Sequence, residues 1–223
     1  MPEITQAHIE GQTARLNALL DRMLRLTGYF SALAGTLFWV WGRPLAQLLY
    51  HSSEAGFYLE ILAPAMPLMY LESMVDGAMK GIGEQKAAFR YSVWDAVLRI
   101  GGVALLLPRY GMRGFLAVIL LSSFYTCVAN TGRLLLSSGT GHAFRRWLGA
   151  PLLAAAAAGA AGRGVRRALV GFPAQELAGQ LAVLTAGGTV TAIVFLLAAL
   201  PLGLWEEVRA VLRQAKTGKN RGK

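Results

Sequence analysis

The chain has 223 residues, of which 55% are hydrophobic and 15% charged, and its formal net charge is +10. An ordinary soluble domain carries about 25% charged residues, and the stretches 115–123 and 193–200 are apolar on every helical face, which excludes a water-soluble bundle with polar outer faces. Basic excess in such a chain follows the cytoplasmic bias of membrane proteins and implies no nucleic acid partner.

Residues 1–25 have no apolar centre of the kind a cleavable signal needs. Ile4, Ile9, Leu16, Leu19, Leu20, Met23 and Leu24 share one side while Gln12, Arg15, Arg22 and Arg25 leave the other polar, so the segment is expected to lie along the cytoplasmic interface as an amphipathic helix. The plain alternative is a linker to the first crossing.

A bilayer core about 30 Å thick takes roughly 20 mainly apolar helical residues to cross. Six runs fit: 26–50, 57–79, 91–107, 114–136, 147–162 and 177–203. The first carries Trp39 and Trp41 late in its course and ends at Tyr50, and Tyr58 follows at the start of the second; these rings are expected to anchor at the headgroup level. Gly42, Arg43 and Pro44 in the first run, and Pro64 and Pro67 in the second, predict bending or local unwinding. Glu60 is read as solvated. Short turns, 80–90 and 108–113, join the second run to the third and the third to the fourth. Cys127 is the one cysteine and can form no internal disulfide. Asn130 and Arg133 close the fourth run as polar glue and a positive-inside signal. The fifth run is rich in Ala and Gly and ends at Arg163, Arg166 and Arg167, which makes it short, tilted or packed closely through its small residues. Thr185, Thr189 and Thr191 in the sixth can return hydrogen bonds to their own backbone. Residues 204–223 begin as an amphipathic helix and become a basic tail suited to anionic lipid.

The expected fold is an all-α integral membrane bundle of about six transmembrane helices. It runs from the interfacial helix 1–25 through the bundle 26–203 to the cytoplasmic tail 204–223. With both termini cytoplasmic, fifteen basic residues fall on the cytoplasmic side and six on the other, as the positive-inside bias requires. The chain holds no metal-ligand spacing, no phosphate-cradling glycine loop and no Ser/His/Asp set, and His8, His51 and His142 all lie outside the six runs. Neither an enzyme nor a bound cofactor or metal is expected.

Charges at membrane depth cost a few kcal/mol and normally face a bundle interior or a wet cavity. Four qualify: Glu72 and Asp76 in the second run, Asp95 and Arg99 in the third. In an antiparallel hairpin, residues whose numbers share a sum lie at similar depth, and both 72 with 99 and 76 with 95 give 171. Glu72 is therefore expected level with Arg99, with Asp95 one helical turn away on the same helix. Two readings of the set stand side by side. One is a neutralised network that holds two helices together; the other is a substrate site in which Arg99 offers its planar fork to phosphate while the carboxylates orient it.

The run YLESMVDGAMKGIGEQ at 70–85, RY at 90–91, DAVLR at 95–99 and LPRYGMRG at 107–114 resemble the stage V sporulation protein B family. That family lies within the multidrug, oligosaccharidyl-lipid and polysaccharide exporter superfamily. PEITQA at 2–7 is similar to the motif before the family's ninth span, and NTGRLLL at 130–136 to the end of its twelfth. The resemblance covers residues 1–146, with the remainder matching in hydropathy and spacing alone. It implies that the six runs are spans nine to fourteen of a fourteen-span transporter, that the chain is the C-terminal portion, and that a missing N-terminal lobe is a partner. It also implies a substrate, a lipid-linked saccharide such as a peptidoglycan or spore-cortex precursor, flipped by alternating access. Arg99 then becomes the candidate for the pyrophosphate region, with Glu72, Asp76 and Asp95 as neighbours. Two other readings are a cation-coupled drug exporter, in which Glu72 or Asp76 holds the ion, and a structural membrane protein or gene remnant.

Overall fold

The computed structural model describes residues 2–138, 145–169, 177–205 and 209, and among them the regular structure is helical throughout. Helix α1, Pro2–Ile9, ends at a turn in which Gly11 takes φ +67°, a left-handed conformation that glycine adopts without steric cost. Helix α2, Thr13–Tyr50, is 38 residues long, about 57 Å at 1.5 Å per residue, which is longer than a bilayer core is thick. It runs unbroken through Pro44, so the local unwinding that Gly42 to Pro44 could have produced does not occur there.

Helix α3, Ser53–Leu62, is capped by Ser52, whose Oγ accepts from the Ala55 backbone N–H at 3.3 Å. A 3-10 turn, Ala63–Ala65, separates α3 from α4, Met66–Gly81. Pro64 and Pro67 bring no N–H to the ladder, so the expected unwinding falls here. Gly83, at φ +82°, then turns the chain into α5, Gln85–Tyr110, and Gly111 separates α5 from α6, Met112–Ser138. A π turn, Arg145–Gly149, leads into α7, Ala150–Leu169. Helix α8, Leu177–Ala199, ends in a second π turn, Leu200–Leu204. Residues beyond Leu204, where the basic tail is expected, lie outside the described residues except for Trp205 and Arg209.

Helix α2 is the hub and packs on α3, α4, α7 and α8. Helices α5 and α6 form a pair of their own, joined to the rest chiefly through α4 against α6. Of the apolar side read in residues 1–25, most members pack against protein, while Ile9 is exposed. Ile4, Ala7, Leu16, Leu20 and Leu24 are buried with Leu71, Val75, Met79 and Trp147 in one cluster at the α1 end. A second cluster of Tyr29, Ala32, Ala154, Ala158 and Phe195 holds α2, α7 and α8 together. The small residues of the fifth run therefore serve close packing, as their spacing predicts.

The outer surface is unlike that of a soluble domain. Ser122, Ser123, Thr126, Asn130, Thr131 and Thr191 are buried, while Phe89, Trp94, Val97, Ile100, Leu105, Phe124 and Leu197 are exposed. Water does not tolerate that much exposed apolar surface on one small protein, whereas lipid does. Among the described residues, four helical segments are long and apolar enough to cross a membrane: Gln85–Tyr110, Met112–Ser137, Trp147–Ala168 and Gly179–Leu204. The first and second expected crossings do not meet that measure as single helices. The second is divided between α3 and α4, and the first shares its helix with charged residues at Asp21, Arg22, Arg25 and Arg43.

Candidate functional site: a charged seam on α4, α5 and α6

The four charges expected at membrane depth come from two helices, and α6 packs on both of them. Arg99 on α5 has its Nε 2.9 Å from the Asp95 Oδ2, one turn away on the same helix. The same N–H donates to the Ser122 Oγ of α6 at 2.8 Å, and that hydroxyl donates in turn to Asp95 Oδ1. A closed triangle of guanidinium, hydroxyl and carboxylate results. It leaves the Arg99 terminal nitrogens, Nη1 and Nη2, without a hydrogen bond among the described residues. The Arg99 side chain is 43% exposed and that of Asp95 15%, so the carboxylate is held in and the fork points out.

Glu72 on α4 lies against the Thr126 hydroxyl of α6, within electrostatic range of Asp95, Arg99 and Asp76. Among the described residues no ion pair joins Glu72 to Arg99. The expected level placement of Glu72 and Arg99 therefore does not make them a direct pair. The sum fixes depth in a hairpin of touching helices, but α4 packs on α6 far more than on α5, so Ser122 and Thr126 occupy the space between the charges. Asp76 turns away toward the α1 end, where Lys80 Nζ lies 2.6 Å from its Oδ2. Its other oxygen, Oδ1, is buried without a hydrogen-bond partner. Three of the four expected residues, Glu72, Asp95 and Arg99, thus face one seam, with Asp76 at its margin. Sequence reading missed Ser122 and Thr126. Their signal was polar residues at an i, i+4 spacing inside an otherwise apolar run.

Other polar contacts fix the surrounding frame. Arg133 on α6 holds Glu84, just before α5, with its Nη2 at 3.0 Å from both carboxylate oxygens, and the Ser137 hydroxyl donates at 3.2 Å. The hydrogen bonds from Arg133 hold the Glu84 carboxyl below its ordinary value. Near the α1 end Trp147 Nε1 donates to Asp21 at 2.7 Å, and Asp21 also pairs with the buried Arg25. Trp41, expected as a headgroup anchor, is instead buried and donates to Thr191 Oγ at 3.0 Å. Glu60, expected to be solvated, is paired with Arg43 and Arg163.

These features define a class: an all-helical protein with several helices able to span a membrane and a large apolar outer surface. A curated relative is the sporulation protein YkvU of Bacillus subtilis (strain 168), 25% identical over 138 residues. The match covers 62% of this chain and 29% of the relative, so the chain spans less than a third of that protein's length. No protein-family profile matches the chain, and no solved structure matches it.

Proposed function

We propose that this chain is the C-terminal portion of a membrane flippase or exporter for lipid-linked saccharides, peptidoglycan or spore-cortex precursors among them, working by alternating access. The observation that carries this reading is the Arg99 arrangement. Its Nε is locked by Asp95 and Ser122, and the two terminal nitrogens remain for a planar, bidentate grip on phosphate. A guanidinium serving only to neutralise a helix pair would have its fork spent on the carboxylate. The likeness to a sporulation protein is in keeping with a role in envelope or cortex synthesis. In this reading α2 and the divided α3–α4 unit complete six crossings, both termini are cytoplasmic, and a second lobe rocks against this one around the seam. The chain performs no covalent chemistry.

A cation-coupled exporter is the second reading, and one observation favours it: the buried, unpartnered Oδ1 of Asp76, a place for a proton or a sodium ion. Both readings are tested by expressing the protein encoded at the complete locus in a strain depleted of its lipid-precursor flippase. The flippase reading expects rescue that Arg99→Gln abolishes and Asp76→Asn leaves. The coupled-exporter reading expects the reverse sensitivity, measured as drug efflux.

A further inference from the structure

A second cluster of charge lies at the other end of the bundle from α1, on α2, α3 and α7, with no contribution from the Arg99 seam. Glu60 on α3 has Arg43 Nε at 2.5 Å and Arg163 Nη2 at 3.4 Å. The Arg163 guanidinium stacks 3.7 Å above the Trp39 ring, a cation–π contact that fixes its plane. Arg166 is held by a different device. Pro44 has no N–H to give to the carbonyl four residues back, that of Val40, and Arg166 Nη1 donates to that same carbonyl at 2.8 Å. Arg167 is exposed and has no hydrogen bond or ion pair among the described residues. Glu60, Arg163, Arg166 and Arg167 line one open concavity of about 260 Å³. That is room for a phosphate or a diphosphate.

Three guanidinium groups and one carboxylate line this concavity, and Arg43 pairs with the same carboxylate from outside that lining. Two of the three lining arginines are already positioned, Arg163 by an indole face and Arg166 by a freed backbone carbonyl, so little conformational freedom is lost when they close on a ligand. Mutual repulsion among them is relieved by an anion, and their planar forks suit the oxygens of phosphate better than a lone halide. We propose that this pocket is a binding site for a phosphate or diphosphate group, carried either on a lipid headgroup or on a soluble ligand. The site stands apart from the transport reading, since it shares none of the residues of the Arg99 seam.

The test uses the full chain, purified and delipidated in a neutral detergent and also placed in phosphatidylcholine nanodiscs. Inorganic pyrophosphate is titrated while tryptophan emission is followed, with Trp39→Phe identifying the share that comes from the ring under Arg163. In parallel, native mass spectrometry measures retention of added phosphatidylglycerol. The paired variant Arg166→Gln with Arg167→Gln, and Arg167→Gln alone, are compared with Arg109→Gln, an exposed arginine outside the pocket. Arg167→Gln removes no contact among the described residues, so it keeps the fold if the paired variant does not. Saturable pyrophosphate binding, weakened at least tenfold by the pocket variants and unchanged in Arg109→Gln, supports the proposal with a soluble ligand. Retention of phosphatidylglycerol by the parent, lost in the pocket variants, supports it with a headgroup. Absence of both, or binding that the pocket variants and Arg109→Gln affect equally, overturns it.

Discussion

At the scale of single residues, the Ser122 hydroxyl separates function from stability. Hydrogen bonds between membrane helices average about 0.6 kcal/mol, so Ser122→Ala is expected to leave thermal stability in detergent within about 2 °C of the parent. It nevertheless removes the group that fixes the Arg99 plane against α6, and rescue in the depleted strain is expected to fall sharply. Unchanged rescue would take the hydroxyl out of the mechanism. Gly187 makes the opposite case. A Cβ built there would lie 2.1 Å from the Trp41 ring, so Gly187→Ala must push a buried indole off Thr191. Such overpacking costs about 1–3 kcal/mol, and the unfolding midpoint is expected to drop by several degrees in a thermal-shift assay. A Gly188→Ala substitution next door, where the Cβ meets open space, should be silent in the same assay.

At the scale of elements, the link from Glu84 to Arg133 ties the turn before α5 to the end of α6. Its pH dependence has a definite sign. The folded-state pKa of Glu84 lies below its ordinary 4.5, so the link stabilises fully above that value and is lost as pH falls through the folded value. Thermal unfolding between about pH 6 and about pH 3 should show the parent losing its advantage over Glu84→Gln as acid is added; parallel curves would remove this link from the acid response. The helices were partly legible in the chain: the apolar runs are helical and Pro64 with Pro67 marked the division of the second, but the helix expected over 1–25 is split near Gly11 and its second half runs on into the first apolar run. Which helix lies between two others was not legible. Number sums set depth along a hairpin, but the insertion of α6 beside α4 depends on packing that no local pattern encodes. Glu60 was misread for the same reason, since its partner Arg163 arrives from more than a hundred residues away. Trp41 was misread because a ring near a span end looks like an anchor until a glycine on α8 opens a slot for it.

At the scale of the whole molecule, the number of crossings rests on α3 and α4 acting together as one. Reporters fused after Ser53 and after Gly83 should then appear on opposite sides of the membrane, the second on the cytoplasmic side; the same side for both would reduce the count and reverse the placement of everything from α5 onward. The turn at Ala63–Ala65 has a mechanical side as well. Drawn out of a bilayer from the N-terminus by a force probe, an unbroken helix gives way as a unit, but this crossing has a built-in weak joint. Once α2 has been extracted, α3 should yield first as a separate event. Its ten residues release about 35 Å of contour length before α4 begins to resist.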